Sequence, residues 1–285
     1  MNFIKLPMIA VIGLACAMGF SACSDDDDDN NNGVIGPGGE APSGVAPIPS
    51  QVFPNGMPAS VGDMAITKDA QGRVTKIFGT TESYTFEYPA ASRAEAQYDV
   101  IMTCVESYGG YTETTTFNIL LNDKGYARYA LEVYDPKEGD APDEWWFEYN
   151  ADGQLSQMKR SEGDETTVLT YTNGDITSVT TTDREGDVDR STISYGNSPM
   201  ANKGCIMLFD ATFDTDMDEF AIAYYAGMLG KATKNLPVKC QDADSPNEYE
   251  EFVWKLNGNG FPTELTVIEH YGQSSYEEYS ADIIW

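Results

Sequence analysis

Four carboxylates fall within six residues at Asp214-Thr215-Asp216-Met217-Asp218-Glu219. Acids spaced in this way supply the hard oxygen ligands that calcium takes in an EF-hand loop, which also needs Gly at its sixth position and Glu at its twelfth. Here those positions hold Glu219 and Tyr225, so the motif fails. Negative charge gathered at the start of a helix explains the cluster better. His270 is the one histidine, so a Ser-His-Asp or Cys-His constellation would have to use it. It sits in the alternating run from Leu265 to His270 and reads as an ordinary strand residue. Paired carboxylates could hydrolyse a glycoside, but among 46 Asp and Glu chance pairs are plentiful and none stands out. No catalytic residue, metal site or cofactor is therefore expected. Trp146 and Glu148 are the better candidates for ligand contact. Trp145, Phe147 and Tyr149 share one strand face, which leaves Trp146 and Glu148 on the other. An indole that is exposed can stack on a sugar ring beside a carboxylate acceptor.

The elements that would position these residues are strands. From residue 64 onward, apolar and polar residues alternate in short runs. The runs are joined by turns at Asp69-Ala70-Gln71-Gly72, Asn122-Asp123-Lys124-Gly125, Asn150-Ala151-Asp152-Gly153, Asn173-Gly174 and Asn257-Gly258-Asn259-Gly260. Gly or Asn supplies the positive φ that a hairpin needs, and the leading Asx side chain caps the turn. Successive turn glycines are 53, 28, 21 and 86 residues apart, so the period is not that of a strict solenoid or propeller. The turns resemble YD-type repeats of bacterial surface proteins, Tyr149-Asn150-Ala151-Asp152-Gly153-Gln154-Leu155 most of all. The reading is all-β: a curved antiparallel β-meander or barrel-like sheet packed around one amphipathic helix.

That helix is predicted from Asp216 to Leu229, where Met217, Phe220, Ala221, Tyr224 and Met228 fall at helical spacing. Gly230 stands where a C-terminal glycine belongs, with Lys231 and Lys234 behind it. Cys205-Ile206-Met207-Leu208-Phe209, the acidic turn, and the stretch from Ala223-Tyr224-Tyr225-Ala226-Gly227 to Leu236-Pro237 resemble the signature of a Bacteroidetes family. That family is a domain of unknown function described as having a porin-like fold. The resemblance covers about residues 60–285. It implies a curved or barrel-like antiparallel sheet and brings no catalytic residues. The last run, Tyr279, Ala281, Ile283 and Trp285, resembles the closing strand of an outer-membrane barrel. Thr112, Thr114, Thr116 and Asn118 on the facing positions, and Glu277 with Glu278, do not make the apolar band that lipid requires.

The N-terminus carries an address. Lys5 and the apolar stretch Met8 to Met18 read as a signal peptide over residues 1–22, too short for a spanning helix of about 20 apolar residues. Phe20-Ser21-Ala22-Cys23 resembles a bacterial lipobox, which makes Cys23 the lipidated mature N-terminus. Ser24 and Asp25, Asp26, Asp27, Asp28 and Asp29 resemble the acidic export signal of Bacteroidetes surface lipoproteins. Residues 23–50 then form a disordered acidic and Gly/Pro-rich linker, with few large apolar side chains to offset the entropy of ordering. Residues 51–285 form a single antiparallel β domain.

Removing residues 1–22 leaves 16 Lys and Arg against 46 Asp and Glu, a formal charge of −30. Such a polyanion repels nucleic acid and anionic lipid. Cys104, Cys205 and Cys240 allow at most one disulfide, and the first two sit among core hydrophobes. The expected protein is a non-catalytic surface lipoprotein of the outer membrane. Its partners would be the membrane through the lipid anchor, and a glycan, another nutrient or another outer-membrane protein. A glycan hydrolase with paired carboxylates and a purely structural or assembly lipoprotein are the alternatives. Cys23→Ala should abolish acylation and membrane retention. Mass spectrometry of the mature N-terminus checks this, and an unmodified Cys23 in the wild type would overturn it.

Overall fold

The computed structural model describes residues 42–89, 97–135 and 141–285. Cys23, Ser24 and Asp25 to Asp29 lie outside the described residues. The strands are β1 (Ser60–Val61), β2 (Met64–Lys68), β3 (Val74–Phe78), β4 (Glu82–Glu87), β5 (Val100–Tyr108), β6 (Tyr111–Leu121), β7 (Ala127–Val133), β8 (Asp143–Tyr149) and β9 (Leu155–Arg160). They continue with β10 (Thr166–Thr172), β11 (Asp175–Thr182), β12 (Val188–Ser194), β13 (Met200–Ala201), β14 (Asn235–Leu236), β15 (Lys239–Asp242), β16 (Glu248–Leu256), β17 (Pro262–Tyr271) and β18 (Ser274–Ile284). Among the described residues, sixteen of these close into an antiparallel barrel. The two-residue β1 completes the ring, pairing Ser60 with both Ile284 and Ala65. Wall neighbours are neighbours in sequence except where β1 meets β18 to close the ring and where β12 meets β15, between which residues 195–238 leave the wall.

Four of the turns share one geometry. The side-chain oxygen of Asp69, Asn122, Asn150 or Asn257 accepts the backbone N–H two and four residues on, at 2.9–3.1 Å. Gly72, Gly125, Gly153 and Gly260 take φ of +80 to +83°. All four, with Asn173-Gly174, lie at one end of the barrel, here the turn end. Alternation then sorts the wall. Trp145 and Phe147 are buried inside while Trp146 and Glu148 face out.

Residues 195–238 enter from the turn end and fill that half of the lumen. Helix α2 (Phe209–Phe213; the shorter α1 is Pro49–Val52) is followed by a 3₁₀ turn, Asp218–Tyr224. The Phe220 ring lies 4.9 Å from Phe147, 5.2 Å from Phe117 and 6.1 Å from Trp145. Tyr149 donates its hydroxyl to Ala127 O and Met228 O, tying the insertion to two strands. At Gly230 (φ +79°) the insertion runs so close to the wall that a Cβ would stand 2.6 Å from Gly153 O. The amphipathic α-helix predicted over Asp216–Leu229 is therefore a 3₁₀ turn and loop. Asp214, Asp216 and Asp218 adopt left-handed backbone at φ +54°, +54° and +49°, which an α-helix start cannot accommodate. Met217, Phe220, Ala223, Tyr224, Tyr225, Ala226, Met228 and Leu229 are all buried, so the buried positions run round the segment instead of along the single stripe of an amphipathic helix.

The chain before β1 closes the turn end. Phe53 packs on Tyr224 and Tyr225, with centroids 5.3 and 5.9 Å away. Asp99 accepts the N–H groups of Ser43, Gly44 and Leu121. Pro47 and Pro49, in the stretch that composition assigns to the linker, are buried. Among the described residues no helix is long and apolar enough to cross a membrane, which says nothing of the strands. Phe220→Ala should cost about 3–5 kcal/mol in urea unfolding, as large core truncations do. A loss below about 1 kcal/mol would mean that the insertion is not the barrel's core.

Candidate functional site

The half of the lumen away from the turn end is not filled. A cavity of about 510 Å³ lies between the insertion and the wall. One side is apolar: Val61, Met64, Ile66 and Ile77 from β1 to β3, facing Phe209 and Ile222 of the insertion. The rest is acidic. Glu82 comes from β4, Glu165 from just before β10, Asp189 from β12, Asp242 from β15, Glu250 from β16 and Glu278 from β18. Asp210, Asp214, Asp216, Asp218 and Glu219 of the insertion form the floor. Another depression, of about 540 Å³, lies among the Asn150 and Asn173 turns. It is a shallow surface groove with none of this concentration of charge.

Burial sets the electrostatics of the acids. Asp210 accepts hydrogen bonds from Thr215 Oγ1 (2.7 Å) and Met217 N (2.8 Å), yet burial pushes its pKa from 3.8 to about 7. Burial, then the charges of Glu219 and Glu82, push Glu106 on β5 from 4.5 to about 7. Glu219 and Asp216 are raised by burial and by Asp218, and Glu82 by burial although Tyr84 donates to it at 2.7 Å. Asp214 accepts from Ser191 Oγ at 2.7 Å.

Arg160, inside β9, pins the insertion to the wall. Its guanidinium meets Asp143 at 2.5 Å, Glu162 at 2.6 Å and Asp218 at 3.3 Å, and lies 4.7 Å over the Trp145 ring. Burial opposes this charge, but the bond to Asp143 and the fields of Glu132 and Glu162 outweigh it and hold the guanidinium protonated. Glu132 accepts from Trp145 Nε1 at 2.8 Å, and burial still lifts its pKa to about 7.

One group of carboxylates among the described residues is close enough to share a cation. Oxygens of Glu250, Glu269 and Glu278 lie within 4.8 Å of one another on three adjacent strands. Tyr276 donates its hydroxyl to Glu269.

The residues singled out in the sequence are dispersed. Trp146 is 37% exposed on the outer wall, its ring edge-on to Tyr129 at 6.0 Å, with Glu148 exposed beside it. His270 stacks on Tyr249 at 4.3 Å and contacts Glu251 at 3.0 Å, as a strand residue would. Cys104, Cys205 and Cys240 are free thiols. Asp218 and Glu219 of the Asp214–Glu219 cluster fall in the first turn of the 3₁₀ segment, and all four acids line the cavity. The inward wall acids were missed, although a signal existed. Glu82 precedes Tyr84 and Phe86, and Glu250 precedes Phe252 and Trp254, in the buried phase of alternating strands.

The family model for the domain of unknown function DUF4595, with porin-like fold, matches residues 66–264. The chain belongs to that family. A crystal structure of a porin-like protein from Bacteroides uniformis is similar at 19% identity and a TM-score of 0.52, over 77% of this chain and 88% of that one. A porin-like protein from Bacteroides vulgatus is similar at 9% identity and a TM-score of 0.38, over 80% of this chain and 97% of that one. No curated protein matches. The Bacteroides uniformis likeness extends to the fold alone, so function rests on the chemistry of the cavity.

The raised carboxylates fix the pH response of the fold. Asp210, Glu106 and Glu132 stay protonated to about pH 7 when folded, whereas unfolded they release the proton nearer 4. The folded state therefore binds more protons, and stability falls as pH rises from about 4 to about 7. Thermal melts should show Tm dropping across that window, with Asp210→Asn flattening the drop. A Tm that climbs from pH 5 to pH 8 would contradict this.

Proposed function

We propose that this family member is a non-catalytic binding protein, tethered by Cys23 to the outer face of the outer membrane, which takes its ligand into the unfilled half of the barrel. The observation that carries the reading is the cavity of about 510 Å³ in a lumen whose other half is filled by buried side chains of the insertion. A protein that needed only a stable barrel would have no reason to leave desolvated acids around empty space.

The direction of the tether supports this reading. The described chain starts at residue 42, and Ser43 and Gly44 are held by Asp99 at the turn end. Eighteen residues separate residue 42 from Cys23. An anchor on Cys23 would thus attach the closed end and turn the cavity away from the membrane. The outer wall supports a barrel standing in water. Thr112, Thr114 and Glu148 face outward, as do Thr170 and Thr172 beside Val168, where a lipid-spanning strand would carry apolar residues.

Trp146 supports a second place of contact. Its exposed indole beside Glu148 could hold a sugar ring on the outer wall while the cavity takes a different ligand. Two variants separate the sites. Ala221→Trp fills the cavity, and Trp146→Ala removes the outer platform. In a thermal-shift panel of amines, amino acids and oligosaccharides, the principal ligand should be lost with Ala221→Trp and kept with Trp146→Ala. The reverse pattern would move the site to the outer wall, and no hit with either protein would sink the binding role.

A further inference from the structure

The chemistry of the cavity narrows its ligand, given the binding role proposed above. We propose that the cavity accepts an organic polyamine, an aliphatic chain carrying two or more ammonium groups. Three features combine. The carboxylates are contributed by six separate wall positions and by the insertion, so they surround a volume instead of converging on one point. A bare metal ion would use three or four of them and leave the others facing each other across low-dielectric space. A chain with spaced ammonium groups meets several at once.

The apolar side is the second feature. Ile66, Ile77 and Ile222 line the same space as Glu82 and Glu250. Methylene groups between two ammoniums match such a surface, and a hydrated ion or a neutral sugar does not. A volume of about 510 Å³ holds a molecule of this size, not a lone cation.

The third feature is the excess of negative charge on the lining. Arg190 is the one basic residue on the lining, and its guanidinium donates to Thr180 Oγ1 at 3.3 Å. Arg160 is already surrounded by Asp143, Glu132, Glu162 and Asp218. The β17–β18 hairpin at the open end adds an aromatic rim. Tyr271 and Tyr276 stack at 6.0 Å and are 49% and 52% exposed, and Tyr276 donates to Glu269, which adjoins Glu250 and Glu278. Exposed tyrosine faces attract ammonium groups entering the cavity. Carboxylates held partly protonated must ionise to meet the ligand, so its binding releases protons and tightens with rising pH.

Calorimetry on the mature chain carrying Cys23→Ala tests this, with spermidine, Mg²⁺, Ca²⁺ and maltoheptaose as probes at pH 8 and at pH 5.5. Spermidine should bind saturably, one molecule per chain, and more weakly at pH 5.5. The double variant Glu250→Gln, Glu278→Gln should weaken it by about tenfold or more without lowering Tm, and Ala221→Trp should abolish it. Equal spermidine binding by all three proteins would mean attraction to the polyanionic surface only and would overturn the proposal. Mg²⁺ or Ca²⁺ binding that saturates the site and excludes spermidine would also overturn it, as an ion site. Maltoheptaose binding that Ala221→Trp removes, with spermidine inert, would keep the cavity as a binding site and reject the amine. No binding by any probe, in a protein whose Tm Ala221→Trp leaves unchanged, would reject both readings.

Discussion

A ring of sixteen strands encloses more space than its own inward side chains can fill. Eight strands are about the limit for a lumen packed by the wall alone, and sixteen leave a channel unless something else occupies it. The rest of this structure follows from that constraint. Residues 195–238 leave the wall between β12 and β15 and occupy one half. Phe220, Tyr224 and Met228 supply the bulk that the wall lacks, and Phe53 of the N-terminal segment covers them from the turn end. The insertion packs against the wall over most of its circumference, keeps its acids where it borders the cavity, and settles into 3₁₀ and turn geometry.

The unfilled half has the opposite character. Carboxylates from the wall and from the floor face one space, and burial holds several of them above their ordinary pKa. Each therefore costs stability near neutral pH, in a chain already carrying a large excess of negative charge. Arg160 is the exception that shows the rule. Where the insertion must be fixed to the wall, a cation is present and is met by Asp143, Glu162 and Asp218. On the cavity lining Arg190 is the one basic residue among many carboxylates. Stability has been given up at one end of the barrel, and a ligand of opposite charge would restore it.

The architecture was legible because its signals are local. The Asx-to-Gly turns at Asp69, Asn122, Asn150 and Asn257 fix hairpins through hydrogen bonds within five residues, and alternation then sorts Trp145 and Phe147 inward from Trp146 outward. The insertion was legible as a break in that pattern but not in its form. Helical spacing of Phe220 and Tyr224 presupposes one buried stripe, and the closed wall buries other sides of the segment as well. The cavity was half legible. Glu82 and Glu250 sit in the buried phase of their strands and can be read as inward acids. That they face Asp210 and Asp214 depends on contacts between segments 36 or more residues apart, which no local pattern carries. Trp146 is exposed as alternation required, yet it lies on the wall and apart from the acids.

A barrel filled from one end only should show it in the reactivity of neighbouring positions on the insertion. Ile222 lines the cavity, and Ala226, four residues on, is fully buried toward the turn end. With Cys104, Cys205 and Cys240 replaced by Ala, the most direct measurement is the rate at which iodoacetamide labels Ile222→Cys and Ala226→Cys in the folded protein. A half-open lumen predicts that Ile222→Cys reacts nearly as fast as an unfolded thiol, while Ala226→Cys waits for global unfolding. Equal protection of the two thiols, or equal exposure, would contradict a barrel closed at the turn end and open at the other.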